Sequence, residues 1–379
     1  MKWGYAAVIG WTAWAGAAQA AGFACIAEEA ARRDYSGTIS LMHGGESVAE
    51  VARGQVGGPD SAAITGTTRF NIGSANKMFT AVAVAQLADA GKLGFDDPIG
   101  KYVPELTAEA RAVTLHQLLT HTSGLGDFFR PQNIGVVRAA RKAADLLPVL
   151  VEDKPQFPPG SPFSYSNSGF ALLGIVVERV SGEVYADYIQ KHIFAPAGMT
   201  ATSLDAASGG VVAQGMTRMR MMGPPPGGPP GGGPPPGMVL KGPPPSVPPL
   251  NAQMPKGDEP LRPAPNAGDF GSSAGSAYST AADLQKFMAA LRAGTLTKSA
   301  VTAPQVDAGR GMRYAYGFGV MAGDGLTWTG HNGGTPGANA EIHATTDGAW
   351  SAAVLANRDP PLATEMFRYI QGVAKAGGC

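Results

Sequence analysis

The residues Ser74-Ala75-Asn76-Lys77 open an apolar, alanine-rich run that continues from Met78 to Ala90 and stops at Gly91. A run of this composition closed by glycine predicts a helix that begins at Ser74. Side chains three positions apart project from one face of a helical turn, so the Ser74 hydroxyl and the Lys77 amine should be neighbours. A serine at a helix start is most often only an N-cap. Ser-x-x-Lys is also weak evidence alone, since about one chance match is expected in a chain of this length.

The Ser74–Lys77 pair would have chemical meaning if the amine were uncharged. A serine hydroxyl beside a neutral amine has the parts of a nucleophile and its base. The ordinary pKa of lysine is about 10.4, which is too high for a base at neutral pH. Burial, the dipoles at a helix N-terminus or another cation would lower the pKa of Lys77 and make the pair competent.

Two later motifs carry matching parts. In Tyr165-Ser166-Asn167, the phenol can pass a proton to a leaving group and the amide can both donate and accept. In His331-Asn332-Gly333-Gly334, the glycines allow a substrate to lie close along a strand edge. The N–H groups of Ser74 and Gly334 are candidates for an oxyanion hole. Taken singly, these residues have simpler interpretations: Tyr165 as a packing aromatic, Asn167 as a helix N-cap, and His331 as a histidine in a surface turn.

In this order, the three motifs resemble the penicillin-recognising serine hydrolases, which include class C-type β-lactamases, D-alanyl-D-alanine carboxypeptidases, D-amino-acid peptidases and related esterases. The similarity covers about residues 30 to 215 and 268 to 375. Further segments look like that family: Phe70-Asn71-Ile72-Gly73-Ser74, Leu118-Leu119-Thr120-His121-Thr122-Ser123-Gly124-Leu125, Ala197-Gly198-Met199 and Tyr278-Ser279-Thr280-Ala281-Ala282-Asp283-Leu284.

The resemblance implies a role for each motif residue. The implied catalytic residues are the nucleophile Ser74, its base Lys77 and the proton relay Tyr165. The implied substrate-binding residues are Asn167, His331, Gly333 and Gly334. The six scattered histidines and the two terminal cysteines show no metal-ligand spacing, so no metal is expected, and the reaction needs no cofactor. The implied partner is a small-molecule or peptide-like acyl substrate.

The third motif departs from the Lys-Thr-Gly of many β-lactamases, because His331 and Asn332 replace the first two residues. Histidine is mostly neutral at pH 7, so it should bind a substrate carboxylate less firmly. This favours an esterase or a D-amino-acid peptidase-like enzyme over the alternatives of a β-lactamase or a D-Ala-D-Ala carboxypeptidase. A non-catalytic penicillin-binding-like protein is the alternative from another class.

Hydrophobic patterning predicts the architecture. Residues 37–43 and 46–53 alternate apolar and polar around Gly44-Gly45, which predicts a β-hairpin. Strands are also expected at 314–321, 326–330, 338–345 and 350–356, and helices at 27–33, 114–120, 136–151, 167–180, 184–194, 280–293 and 362–376.

These elements predict an α+β protein in which one antiparallel sheet joins the strands from the two ends of the chain. The resemblance implies the β-lactamase/transpeptidase-like fold. We expect a sheet lobe (about 25–73 and 295–379) flanked by N- and C-terminal helices, a helical lobe (about 74–294), and the active site between them.

The first twenty residues differ from the rest. Lys2 precedes an uncharged apolar stretch from 3 to 18, and Ala18-Gln19-Ala20 offers a cleavage site. This pattern is typical of a secretory signal peptide, which predicts a periplasmic or secreted domain over 21–379. A retained anchor is the alternative, but the run is short for a membrane span.

Two cysteines, Cys25 and Cys379, lie near the two ends of the exported chain. In an oxidising compartment they can form a disulfide. Two free thiols, or lipidation of Cys25 after a poorly matching Gly22-Phe23-Ala24, are the alternatives. Acidic and basic residues balance at 29 each, which argues against nucleic acid or an anionic membrane as a partner. We expect a monomer that is not inserted in a membrane once the signal is removed.

Residues 222–265 are dominated by proline and glycine, which predicts a disordered insertion without helix or ladder. Just beyond it, Gly271-Ser272-Ser273-Ala274-Gly275 matches the Gly-x-Ser-x-Gly pattern of a nucleophile elbow. An elbow requires a buried strand directly before the serine. Because proline- and glycine-rich sequence precedes this match, we do not expect it to hold the nucleophile.

Overall fold

The computed structural model describes residues 22–221, 252–253, 259–265, 271–323 and 325–379. The predicted signal peptide and most of the predicted insertion lie outside these residues. Across the described ranges, no helix is both long and apolar enough to cross a membrane.

Every ladder between two strands is antiparallel in the part of the chain that the structure describes. They are β1 (Gly37–His43), β2 (Glu46–Arg53), β3 (Phe70–Asn71), β4 (Met216–Thr217), β5 (Arg220–Met221), β6 (Ala252–Gln253), β7 (Arg262–Pro263), β8 (Tyr278–Ser279), β9 (Val306–Gly309), β10 (Met312–Tyr314), β11 (Gly319–Gly323), β12 (Leu326–Thr335), β13 (Ala338–Thr345) and β14 (Trp350–Ala356). Eight of them form one sheet in the order β2-β1-β14-β13-β12-β11-β10-β9. The expected sheet from both ends of the chain is therefore confirmed.

The α-helices are α1 (Ala24–Arg32), α2 (Lys77–Asp89), α3 (Ala108–Arg111), α4 (Leu115–Leu119), α5 (Ile134–Ala139), α6 (Leu147–Leu150), α7 (Asn167–Ser181), α8 (Tyr185–Ile189), α9 (Ala195–Ala197), α10 (Ala281–Arg292) and α11 (Leu362–Ala376). Helix α2 is preceded by a 3₁₀ turn, Gly73–Asn76. The predicted helix at 136–151 is wrong as one unit, because Ala140 takes an extended ψ of 135° and the chain breaks into α5, a 3₁₀ turn (Ala143–Leu146) and α6.

Strand β14 shows how the sheet is covered on both faces. Successive side chains of a strand point to opposite faces. Ala352 and Val354 pack with α1 and α11, whereas Ala353 and Leu355 pack with α10 and the helical lobe. The sheet therefore lies between two helical layers, with the larger core on the side that carries α2 and α7.

Helix α10 contacts both the sheet and helix α2. Its Gln285 amide donates to the carbonyls of Ser40 (3.0 Å) and Ser351 (3.2 Å) on the sheet. Its Phe287 also contacts Phe79 of α2 edge to face, with ring centres 4.7 Å apart. Helix α10 thus packs on the sheet and fixes α2 against it.

Short ladders border the predicted insertion. Strand β4 pairs with β7, and β5 pairs with β6. Residues 252–253 and 262–263 lie within the range where we expected no ladder, so that prediction is wrong for these four residues. Proline can enter such a pairing because a two-residue edge strand does not need its missing N–H.

The two cysteines form a disulfide, Cys25–Cys379, with Cα atoms 5.9 Å apart. The Cys379 N–H donates to the Gly22 carbonyl over 2.8 Å. The disulfide thus ties α1 to the segment that follows α11, on one face of the sheet.

Candidate active site

Ser74 reaches the surface from an otherwise buried segment. Every residue from Ile72 to Ala85 is buried except Ser74, which is half-buried. The 3₁₀ turn begins at Gly73, whose φ is +50° and where a Cβ would lie 2.8 Å from the Gly334 nitrogen. Glycine is therefore needed there both for its conformation and for the close approach of β12.

Lys77 is fully buried and its Nζ makes three contacts. It lies 3.2 Å from Ser74 Oγ, 2.8 Å from Asn167 Oδ1 and 2.5 Å from the Ala274 carbonyl. Burial lowers the pKa of Lys77 to about 7, and the charge of Asp127 acts in the opposite direction. A neutral amine has two N–H donors and one lone pair, so the two oxygen acceptors can take both donors and leave the lone pair for the Ser74 hydroxyl.

Asn167 connects Lys77 to a carboxylate that sequence reasoning missed. Its Nδ2 donates to Asp127 Oδ2 over 2.8 Å, while Asp127 Oδ1 accepts from the Phe129 N–H, also over 2.8 Å. Burial raises the pKa of Asp127, and these two hydrogen bonds with the charges of Lys77 and Arg130 oppose the shift. Asp127 lies two residues beyond the Leu118–Leu125 segment that we had identified, so a search of the following turn would have found it.

Tyr165 lies beside this pair. Lys77 Nζ is 4.8 Å from the centre of the Tyr165 ring. Burial raises the pKa of Tyr165, and a hydrogen bond with Ser74 partly offsets the rise. The phenol is therefore protonated at neutral pH, which suits a proton donor or relay rather than a standing phenolate base.

The edge of β12 closes the site on the sheet side. Strand β11 pairs with β12 only as far as Gly330, whereas β13 pairs as far as Thr335. Beyond Gly330 this edge faces the 3₁₀ turn before α2, because a Cβ at Gly333 would lie 1.8 Å from the Ile72 carbonyl and 3.1 Å from the Ser74 nitrogen. The Ser74 N–H sits in the first turn of its helix, where no intrahelical acceptor exists.

His331 takes a different position from the one expected of a substrate ligand. Only 5% of its surface is exposed. Its Nδ1 lies 2.5 Å from the Asn332 carbonyl and its Nε2 lies 3.0 Å from Tyr314 Oη. Burial and then the charge of Lys77 lower the pKa of His331 to about 3. Both ring nitrogens are thus hydrogen-bonded within the protein. Tyr314 belongs to none of the sequence motifs, so sequence reasoning missed it.

A row of backbone carbonyls anchors the start of α2. Asn76 Nδ2 donates to the Ser272 carbonyl (2.6 Å) and Thr80 Oγ1 donates to the Ser273 carbonyl (2.6 Å). Lys77 uses the next carbonyl, that of Ala274. The segment that matches Gly-x-Ser-x-Gly therefore supports α2 through its backbone carbonyls. The Ser273 side chain is buried against α7.

The family can be assigned from a match along nearly the whole chain. The model of the Beta-lactamase family matches residues 24–375. The chain belongs to the beta-lactamase family. This is a family of serine hydrolases, and the resemblance that we stated from the motifs is confirmed.

Relatives within the beta-lactamase family include penicillin-binding proteins. The chain is 31% identical over 176 residues to Penicillin-binding protein 4* of Bacillus subtilis (strain 168), and this match covers 45% of the chain and 38% of that protein. It is 33% identical over 166 residues to the Putative penicillin-binding protein PbpX of the same organism, with 44% and 40% covered. The chain thus spans less than half the length of these curated relatives.

Solved structures confirm the β-lactamase/transpeptidase fold. A penicillin binding protein from Bacillus halodurans superposes with a TM-score of 0.74 at 26% identity, covering 92% of this chain and 98% of that one. D-amino acid amidase from Ochrobactrum anthropi SV3 superposes with a TM-score of 0.71 at 20% identity, covering 95% of this chain and 100% of that one. An octameric penicillin-binding protein homologue from Pyrococcus abyssi gives 0.70 at 23% identity, covering 92% and 76%.

Proposed function

We propose that this protein is an exported serine hydrolase that cleaves an ester or amide through an acyl-enzyme on Ser74, as an esterase or a D-amino-acid peptidase-like enzyme. The observation that carries the proposal is the buried Lys77 amine, which lies 3.2 Å from Ser74 Oγ and has a pKa lowered to about 7. A base is most effective when its pKa lies near the working pH.

Acylation begins when neutral Lys77 accepts the Ser74 hydroxyl proton as Oγ attacks the substrate carbonyl. The C=O π bond breaks, and its electron pair becomes an oxyanion on the tetrahedral intermediate. The N–H groups of Ser74 and Gly334 are the proposed donors to that oxyanion, and such donors are worth about 10²–10³ in kcat. Asn167 and the Ala274 carbonyl hold the amine in place while its charge changes.

Collapse of the intermediate expels the leaving group, which must receive a proton. Tyr165 is the proposed donor because its phenol is protonated at neutral pH. Its proton is replaced from the Lys77 ammonium, so the pair returns to its starting state. Water then attacks the acyl group with the same residues in the reverse roles.

We infer the substrate class from the environment of His331. Burial keeps this imidazole neutral, and both of its nitrogens bond within the protein. It therefore supplies no positive charge for a substrate carboxylate where related β-lactamases carry lysine. This supports esters and amides without a carboxylate at that end.

A β-lactamase or D-Ala-D-Ala carboxypeptidase is the second candidate, because the penicillin binding protein of known structure matches 92% of this chain. For any of these activities the proposed substrate-binding groups are Asn167, Gly333 and Gly334. We expect no cofactor.

A substrate panel tests the proposal. Purified protein is assayed with p-nitrophenyl esters, D-amino-acid amides and a chromogenic cephalosporin, and labelled with a phosphonate probe and a fluorescent penicillin. We expect turnover of an ester or D-amino-acid amide, covalent label on Ser74, and loss of both in Ser74→Ala. Ser161→Ala, which removes an equally half-buried hydroxyl, is the matched control. Cephalosporin turnover alone would favour the second candidate, and no label with either probe would favour a non-catalytic binding protein.

Export is supported by the pattern of residues 1–20 and by the Cys25–Cys379 disulfide, which suits an oxidising compartment. N-terminal sequencing of protein from the periplasm or medium should begin after the signal. Protein that stays in the cytoplasm with these residues intact would contradict export. Gel filtration tests the expected monomer.

A further inference from the structure

Three buried side chains outside the proposed catalytic set bond to one another between the lobes. Tyr314 Oη lies 3.2 Å from His121 Nε2 and 3.0 Å from His331 Nε2. None of the three residues is more than 5% exposed. We refer to His121, Tyr314 and His331 as the His–Tyr–His network.

Hydrogen-bond donors fix the direction of this network. The Ser166 N–H donates to His121 Nδ1 over 3.1 Å, so that nitrogen carries a lone pair. In a neutral imidazole the other nitrogen must then carry the proton. His121 Nε2–H therefore donates to Tyr314 Oη, and the Tyr314 O–H donates to His331 Nε2.

The direction continues to the strand edge. Because His331 Nε2 accepts, its Nδ1 carries the proton and donates to the Asn332 carbonyl. Burial lowers the pKa of His331 to about 3 and that of His121 well below its usual value, which agrees with two neutral rings. Every donor in the series has one acceptor.

The first end of the network holds the Tyr165 segment. The His121 carbonyl accepts from the Ser164 N–H (2.8 Å) and its ring accepts from the Ser166 N–H, so Tyr165 is held on both sides. The His121 ring also lies 4.3 Å from the Tyr165 ring. His121 does this with a φ of +56°, a left-handed conformation that non-glycine residues adopt at an energetic cost.

The other end holds the β12 edge. The Asn332 carbonyl precedes Gly333, which packs against the start of α2, and Gly334, the proposed oxyanion donor. Tyr165 and Gly334 lie on different segments, and Tyr314 joins those segments by hydrogen bonds to His121 and His331. The Tyr165 and His331 rings also face each other, with centres 6.3 Å apart.

We propose that the His–Tyr–His network is a positioning device: His121, Tyr314 and His331 hold the Tyr165 hydroxyl and the Gly334 amide in register across Ser74. The inference rests on the proposed function and assigns His331 to positioning rather than to binding substrate. A displacement of about 1 Å at a reacting group costs on the order of 10²-fold in rate, so the network's effect should appear in kcat.

The decisive variant is Tyr314→Phe, which removes only the shared hydroxyl. Its matched control is Tyr316→Phe, because the Tyr316 hydroxyl also bonds a histidine, His116 Nδ1 at 2.9 Å, outside the site. We expect Tyr314→Phe to lower kcat by about 10- to 100-fold with KM within about threefold, and Tyr316→Phe to change neither. Equal kcat in the two variants, or a raised KM with unchanged kcat, would overturn the proposal.

A second variant and a spectroscopic readout keep the test open if Tyr314→Phe fails to fold. His121→Asn tolerates positive φ and keeps an acceptor for the Ser166 N–H, but loses the donor to Tyr314. It should lose kcat in the same way. Wild-type activity in this variant would overturn the proposal.

Ring ¹⁵N NMR tests the network without using activity. In the wild type we expect the proton on Nε2 of His121 and on Nδ1 of His331, and in Tyr314→Phe we expect His331 to lose its single tautomer. A His331 proton on Nε2 in the wild type would refute the network. A wild-type protein without any acylation would instead refute the proposed function, whatever the tautomers.

Discussion

The titration of Lys77 should control the rate at which Ser74 is acylated. With a pKa of about 7, the fraction of Lys77 that is neutral rises about tenfold between pH 6 and pH 8 and then levels off. A lysine at its ordinary pKa would be only about 0.04% neutral at pH 7. Burial therefore supplies a gain of about three orders of magnitude in the amount of base.

The assay is the rate at which a phosphonate probe labels Ser74, followed by intact mass between pH 5.5 and 9. We expect a single rise with its midpoint near 7. Lys77→Met should lose the rise and label about 10²- to 10⁴-fold more slowly, the usual contribution of a general base. Lys191→Met, which removes an exposed lysine, is the control and should match the wild type. A labelling rate that is still rising steeply at pH 9, or a Lys77→Met protein that is labelled as fast as the wild type, would refute the base role.

The same pKa predicts a stability effect that does not need a substrate. The folded-state pKa of Lys77 is lower than the unfolded value, so the unfolded chain binds more protons between about pH 7 and pH 10.5. The unfolding free energy should therefore rise with pH across this window, by on the order of 5 kcal/mol relative to Lys77→Met. Urea denaturation of both proteins at several pH values measures their unfolding free energies. A difference between the two proteins that does not change with pH would contradict the lowered pKa of Lys77.

Three further perturbations have defined outcomes. Cys379→Ser should lower the unfolding free energy by up to about 5 kcal/mol, since the disulfide closes almost the whole chain, as urea denaturation would show. Gly333→Ala should abolish folding or acylation, because its Cβ would lie 1.8 Å from the Ile72 carbonyl, and circular dichroism with probe labelling distinguishes these losses. Asp127→Asn should move the midpoint of the pH–acylation profile downward, because the Asp127 charge raises the pKa of Lys77.

Each perturbation has its own check. Reductant should reproduce the Cys379→Ser effect on the wild type and leave the variant unchanged. Gly372→Ala places a methyl group where no atom lies within 4 Å and should fold normally. A midpoint that stays in place in Asp127→Asn would show that this carboxylate does not act on Lys77.

The sequence was most informative where spacing is local. The bounds of the hairpin strands, 37–43 and 46–53, were predicted to the residue from their period-two alternation and Gly44-Gly45, whereas the register shift between Leu41 and Met42 was not predicted. Ser74 and Lys77 were predicted to be neighbours because three residues make almost one helical turn. The break at Ala140 was missed, since the Glu178 carboxylate that accepts from the Ala143 and Ala144 N–H groups belongs to a distant helix.

The parts of the site that sequence reasoning missed depend on contacts between distant segments. The Ala274 carbonyl meets Lys77 across 197 positions and has no side-chain identity to recognise. Tyr314 meets His121 across 193 positions, and no spacing rule joins them. His331 was identified as a site residue, but its ring bonds to Tyr314 inside the protein. The sequence alone therefore could not show whether the ring faces the substrate or the interior.

The three consecutive carbonyls of residues 272–274 have a consequence for how this protein tolerates change. Their partners are Asn76, Thr80 and Lys77, and each carbonyl is the same whatever side chain its residue carries. Exchange of one small residue for another there should leave these three hydrogen bonds in place. Deletion or insertion of one residue would shift every acceptor to the wrong donor and leave the amine beside Ser74 without its support, so this short stretch constrains chain length far more than residue type.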